Sequence, residues 1–192
     1  MPGIINHKRK TVYWYIPKVA CTSMKLAMAE DMGIAIPDGK VHADGVFEIT
    51  NDFNAYSDYF HFTIRRNPVE RALSLFNDKI RPDRLTNDTY TDGIENVVFA
   101  GFQQWFWPAM TFEQFVLILA SLRLQDPHIA PQWTQHPQVN IYVIWIESLS
   151  LELKKVVPWL PPLGIHNQSV KRGEVTELAR LTIRHHYAKD FL

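Results

Sequence analysis

The sequence predicts an α/β fold: one domain over residues 1–192, with a central, mainly parallel sheet flanked by helices. Three observations predict it. Three short runs rich in β-branched and aromatic residues stand at 11–16, 60–64 and 140–146. Each is followed by a segment of helix-forming composition, and strand–helix alternation is the pattern of parallel sheets. No repeat, low-complexity tract or linker interrupts the chain.

The first run, TVYWYI at 11–16, is bounded by Pro17 and reads as a buried strand. Residues 22–32 then carry Met24, Leu26, Ala27, Met28, Ala29 and Glu30, and Gly33 stands where such a helix stops. The second run, FHFTI at 60–64, is followed by Pro68, a residue well tolerated at the first helical position. A helix from Pro68 to about Ile80 places Val69, Ala72, Leu73, Leu75 and Phe76 on one face. Residues 81–101 are polar and turn-rich and read as an insertion or mobile loop.

Thr111, with Gln114 three residues on, forms a capping-box pattern ahead of Phe112, Phe115, Val116 and Leu119. The third strand, NIYVIWI at 140–146, leads to a helix over about 149–157 that Pro158, Pro161 and Pro162 terminate. An amphipathic helix over 176–189 closes the chain.

Composition narrows the function classes. The 192 residues balance 20 Lys and Arg against 20 Asp and Glu, so bulk charge nominates neither nucleic acid nor an anionic membrane. Any anion site must come from local placement of basic groups. Cys21 is the single cysteine, which excludes an internal disulfide framework and a cysteine-rich zinc site. No His or carboxylate spacing suits a metal; His185 and His186 are adjacent on a helix and face different ways. No run of about 18 apolar residues occurs, and no apolar stretch follows the basic N-terminus. The expectation is a soluble, cytoplasmic protein without a membrane span.

Two loops at strand ends carry the chemistry. In the first, Pro17-Lys18-Val19-Ala20-Cys21-Thr22-Ser23-Met24-Lys25 joins a strand to a helix N-terminus. Unpaired N–H groups and the helix dipole favour an anion there. Thr22 and Ser23 add hydroxyls; Lys18 and Lys25 add charge. The GxxxxGK[ST] pattern of nucleotide triphosphatases is absent. On these grounds alone a plain Thr-capped helix start is as good a reading as an anion site. In the second loop, Arg65 and Arg66 end a strand, and Asn67-Pro68 opens the next helix, with Ser74 on it. A guanidinium and a helix hydroxyl can close on one phosphate.

The string IPKVACTSMK closely resembles the 5′-phosphosulfate loop of the carbohydrate sulfotransferases, and heparan sulfate 2-O-sulfotransferase carries a related loop. The second string resembles the family's 3′-phosphate motif, Arg-Asp-Pro-x-Glu-Arg-x-x-Ser. Arg66, Pro68, Glu70, Arg71 and Ser74 match in register, whereas Asn67 replaces the usual aspartate. The resemblance implies a P-loop-like sulfotransferase fold and 3′-phosphoadenosine 5′-phosphosulfate (PAPS) as donor, with no metal. It implies that Lys18 contacts the bridging and sulfate oxygens. Val19, Ala20, Cys21, Thr22 and Ser23 would hold the 5′-phosphate. Arg66 and Ser74 would hold the 3′-phosphate, while Arg65 points to the opposite face. Cys21 reads as a small packing residue in preference to a reactive thiol.

The acceptor implied is a hydroxyl of a carbohydrate, and transfer to it needs a base. In the 2-O-sulfotransferases the base is a histidine between the two phosphate motifs. Here that interval holds His42 and His61, and His61 lies inside a strand, so His42 is the choice. Asp44, Glu48 and Asp52 are carboxylate alternatives nearby. His128 and Gln132, in DPHIAPQ, resemble a family segment and are candidates for the acceptor cleft or for ordering a loop. Trp105, Phe106 and Trp107 could stack on a sugar or fill the core. Lys171 and Arg172 resemble a late loop that closes on the donor, with a solvated basic turn equally open. The closing Tyr187-x-x-Asp190-Phe191 matches a family ending read as structural. Two rivals stand beside this reading: a kinase-like phosphotransferase, and a non-catalytic nucleotide-binding protein of the same fold.

Overall fold

The computed structural model describes residues 2–80, 105–107, 109–122, 126–138, 140–164 and 173–192. The polar stretch 81–101 and the basic pair Lys171 and Arg172 therefore lie outside the described residues. Contacts divide the chain into two units. One comprises residues 1–66 and 132–168, the other 67–131 and 169–192.

The first unit holds a five-stranded sheet built from β1 (Gly3–Asn6), β2 (Thr11–Trp14), β3 (Ile49–Thr50), β4 (Phe60–Arg65) and β5 (Ile141–Trp145). Their order is β3-β1-β2-β4-β5. The three strands expected from the sequence, β2, β4 and β5, form the parallel set. β1 and β3 extend it on the β2 side in antiparallel register, so the sheet is mixed. Both additions are too short to show a hydrophobic period. β1 exists because a tight turn, with Lys10 in the left-handed region at φ 49°, folds it back on β2.

Alternation along the strands sets the two faces. Tyr13, Phe62, Ile64 and Ile144 join Met24 and Met28 of α1 (Cys21–Met32) in one apolar cluster. Behind Trp14 the other face is polar but satisfied: its indole N–H donates to His61 Nδ1 at 3.0 Å. His61 Nε2 then carries the proton and donates to the Tyr56 carbonyl at 2.9 Å. His61 is thus packed against the sheet, as its place in a strand suggested. Gly33 ends α1 at φ 68°, the left-handed turn that a glycine takes without strain.

The second unit packs α2 (Pro68–Lys79), α3 (Phe112–Ser121) and, after α4 (Leu149–Val156) of the first unit, α5 (Glu177–His186). Its core gathers Leu73, Phe76, Phe112, Phe115, Ala179 and Ile183. The expected capping box at Thr111 and Gln114 is formed in both directions. The final helix is shorter than the sequence pattern suggests. It ends at His186, and Ala188–Phe191 tightens into a 3-10 turn. Tyr187 is buried there; its hydroxyl donates to the Ile129 carbonyl at 2.6 Å, and burial pushes its pKa up to about 12.

Candidate active site

β2 and β4 are parallel neighbours, with Trp14 opposite Thr63. The loops that follow them therefore leave from one carboxyl edge of the sheet, where open α/β folds bind ligands. In the first loop Val19 is buried in the core, and the residues on either side of it, Lys18 and Ala20, are left-handed at φ 66° and φ 52°. Left-handed backbone costs a non-glycine residue on the order of 1–2 kcal/mol. Two such residues in a loop entering a helix give the backbone form of an anion-binding nest. Ala20 is the N-cap of α1 and supplies no side-chain hydrogen bond to the first turn. The Thr22 and Ser23 hydroxyls lie on that turn. These donors fit a phosphosulfate: amides, hydroxyls and a lysine, with no acidic residue in the first turn.

The Arg66 main chain is clamped by one side chain. Its N–H donates to Gln132 Oε1 at 3.0 Å, and Gln132 Nε2 donates to its carbonyl at 2.8 Å. Gln132 is fully buried, which makes it a loop-ordering residue. The Arg66 guanidinium reaches the Lys18 carbonyl at 3.4 Å, linking the two strand-end loops. Arg65 turns elsewhere and donates through Nε and Nη2 to Nε2 of buried His136, at 3.1 and 2.9 Å. His136 Nδ1 donates in turn to the Pro137 carbonyl at 2.6 Å. Asn67, which stands where the family motif has aspartate, caps the next helix: its side chain accepts from Val69 N–H at 2.9 Å. Ser74 lies on α2, in the second unit.

His42 follows buried Val41, which anchors its loop, and is itself exposed. Its Nε2 lies 3.0 Å from Thr22 Oγ1 and its Nδ1 lies 3.2 Å from Lys25 Nζ. Thr22 and Lys25 are one turn apart on α1 and so share a face. The Lys25 ammonium stands 4.0 Å above the Tyr15 ring and is buried. Burial pulls its pKa below the usual lysine value, with Cys21 acting the other way. Burial also pushes Tyr15 up to about 12, helped by Cys21 and Asp44. The lysine–histidine contact was not foreseen; the shared helix face of Thr22 and Lys25 was its one sequence trace.

The other candidates fall in other places. Glu48 is held by His7 at 3.1 Å and by the Tyr56 hydroxyl, and Asp52 accepts from Asn54 N–H. His128 belongs to the second unit, where its Nδ1 and its backbone N–H both donate to Asp126 Oδ1. Phe106 is core, 5.2 Å from the Phe115 ring, whereas Trp105 and Trp107 are exposed. Arg71, a motif residue without an assigned role, is a buried clamp. It donates to the carbonyls of Ala130 and Pro127 at 2.8 and 2.7 Å.

The site is thus a strand-to-helix loop with two left-handed residues after β2, and an imidazole against the first turns of the helix it enters. The chain belongs to the sulfotransferase family, whose model matches residues 2–183. It is also similar to carbohydrate sulfotransferase 11 of Danio rerio, 26% identical over 89 residues, which cover 40% of this chain and 25% of that protein. The chain thus spans about a quarter of the length of this relative. No solved structure matches the chain. The cytoplasmic expectation does not stand: the similarity is to a carbohydrate sulfotransferase, which does not point to the cytoplasm and fixes no compartment for this chain. Among the described residues no helix is long and apolar enough to cross a membrane, a fact about those helices and not about compartment.

Proposed function

We propose that the protein moves a sulfuryl group from PAPS to a hydroxyl of a carbohydrate, using both units as one P-loop-like sulfotransferase domain. The observation that carries the proposal is the His42 ring against Thr22 and Lys25. Nothing local in the sequence requires a histidine 17 to 20 positions away to meet that loop.

The acceptor oxygen attacks sulfur in line. The new O–S bond forms as the bond from sulfur to the 5′-phosphate oxygen breaks. The hydroxyl proton passes to His42, and the 3′,5′-bisphosphate leaves with the bridging electron pair. Lys18 and the amides from Val19 to Ser23 stabilise that developing charge, and Thr22 and Ser23 hold the 5′-phosphate. Arg66 and Ser74 hold the 3′-phosphate, assisted by Lys171 and Arg172. Most of the acceleration comes from positioning and electrostatics, as in phosphoryl transfer. The carbohydrate acceptor is supported by the relative's name.

The test is transfer from labelled donor to a library of glycans and small alcohols. Transfer to a glycan hydroxyl is expected, and Lys18→Ala and His42→Ala should each abolish it while the bisphosphate still binds to the His42 variant. Binding without transfer to any acceptor would replace the enzyme with a nucleotide-binding protein. Competition by ATP in place of the bisphosphate would favour a kinase-like phosphotransferase.

A further inference from the structure

We infer that Lys25 is the positioning residue that sets the tautomer of His42, and that it receives the proton His42 removes from the acceptor. The inference rests on His42 being the base.

The argument starts from what each nitrogen can do. The two ring nitrogens of His42 are engaged at opposite sides, Nδ1 by Lys25 Nζ at 3.2 Å and Nε2 by Thr22 Oγ1 at 3.0 Å. An ammonium has three donors and no lone pair, so a charged Lys25 forces Nδ1 to accept. The ring proton of a neutral imidazole then sits on Nε2, pointing at Thr22. In that state Nε2 has no lone pair for an incoming hydroxyl. An uncharged Lys25 reverses the bond: Nδ1–H donates to the amine, and Nε2 becomes the acceptor. Nε2 then faces Thr22, whose hydroxyl is proposed to hold the 5′-phosphate, so a proton taken there is taken beside the transferring group. As the hydroxyl proton arrives at Nε2, the Nδ1 proton moves to Lys25. The histidine stays neutral, and the charge ends on an ammonium above the Tyr15 ring.

Among the described residues, groups that face this pair include Tyr15, Cys21 and Thr22, with Asp44 near Tyr15. Burial lowers the cost of the uncharged lysine, which agrees with the geometry. The active form has neutral His42 beside uncharged Lys25, one proton fewer than the blocked state of neutral imidazole and charged lysine, so the rate rises with pH through an apparent value that belongs to both groups.

The experiment compares Lys25→Met with Lys25→Arg across pH, with bisphosphate binding as the check on folding. Arginine keeps the charge and the donor but never deprotonates, so it locks the ring in the blocked tautomer. Lys25→Arg should lose the general-base contribution, on the order of 100-fold in kcat or more, at every pH. Lys25→Met should stay within about tenfold of the parent, with its ascending limb moved to the acid side, towards the ordinary imidazole value of about 6.5. A merely structural lysine predicts the reverse, with arginine the better substitute, and that order would overturn the inference. His42→Ala separates the two levels: full activity there removes the base itself, whereas an inactive His42→Ala with an active Lys25→Arg removes only the role of Lys25. Should either Lys25 variant fail to fold, nitrogen NMR of the parent protein decides, with the His42 signals assigned by His42→Gln. Conversion from the Nε2–H to the Nδ1–H tautomer on raising the pH supports the inference; an unchanged Nε2–H tautomer defeats it.

Discussion

Replacing Gln132 by alanine removes both hydrogen bonds that hold the Arg66 main chain. Gln132 is fully buried and Arg66 half-buried, so the Arg66 N–H and carbonyl lose these two partners where water access is restricted. Each unsatisfied group costs about 1–3 kcal/mol. Against this, the variant avoids ordering a glutamine side chain, about 1–2 kcal/mol. The net expectation is a loss of about 2–4 kcal/mol, or roughly 5–15 °C in Tm for a chain of this size. Urea denaturation with constant slope measures it directly. Gln132→Glu sharpens the test. Its carboxylate still accepts from Arg66 N–H but sets an oxygen against the Arg66 carbonyl, so it too is destabilised at neutral pH. Acid restores part of that loss, because a protonated carboxyl donates. A Gln132→Ala protein within about 0.5 kcal/mol of the parent, the usual range for uncritical surface changes, would refute the reasoning.

Other substitutions test other parts of the framework. Arg71→Lys cannot span the two carbonyls of Pro127 and Ala130 and should cost about 2 kcal/mol, read by denaturation; no shift would show the fork to be dispensable. Gly3→Ala places a Cβ 2.6 Å from Val12 Cγ1 and 3.0 Å from the Trp14 ring, and this overpacking should cost about 1–3 kcal/mol. A thermal shift smaller than that would mean β1 can move aside. Asp31 accepts from Arg9 and from Asn6, and the Arg9 bond above all holds its carboxyl below the usual range. Its folded value is depressed, so its stabilisation is complete above the unfolded value, about pH 4, and disappears as pH falls through the lower folded value. Asp31→Asn should therefore be less stable at neutral pH and lose less on acidification below pH 4. Parallel Tm curves for the two proteins would contradict this.

What the sequence made legible was whatever is local. The runs at 11–16, 60–64 and 140–146 bury aromatic and branched side chains in alternation, and all three became parallel strands. Gly33 and Thr111 marked a helix end and a helix start because capping is decided within four residues. The donor loop was visible for the same reason: a strand, a short turn and a hydroxyl-rich helix start are contiguous. Its left-handed residues were not visible, since Lys18 and Ala20 are ordinary residue types forced into that conformation by their surroundings. The contacts that join distant segments were equally hidden. Lys25 meeting His42, Gln132 clamping Arg66 and Arg65 meeting His136 depend on tertiary placement, and no periodicity encodes them.

The Gln132 clamp also bears on how the chain reaches this state. Arg66 is the residue at which the chain leaves the sheet unit, and Gln132 is where it re-enters. They are 66 positions apart, and the β4–β5 pairing spans the same excursion. Closing a flexible loop of that length costs on the order of 4 kcal/mol before any contact across it repays the loss. Prior folding of the intervening helices shortens the loop and lowers that barrier. The expected order is helices first, then β5 onto β4, with Gln132 latching last. Refolding in which protection of the α2 and α3 amides precedes protection of the β5 amides would carry that signature.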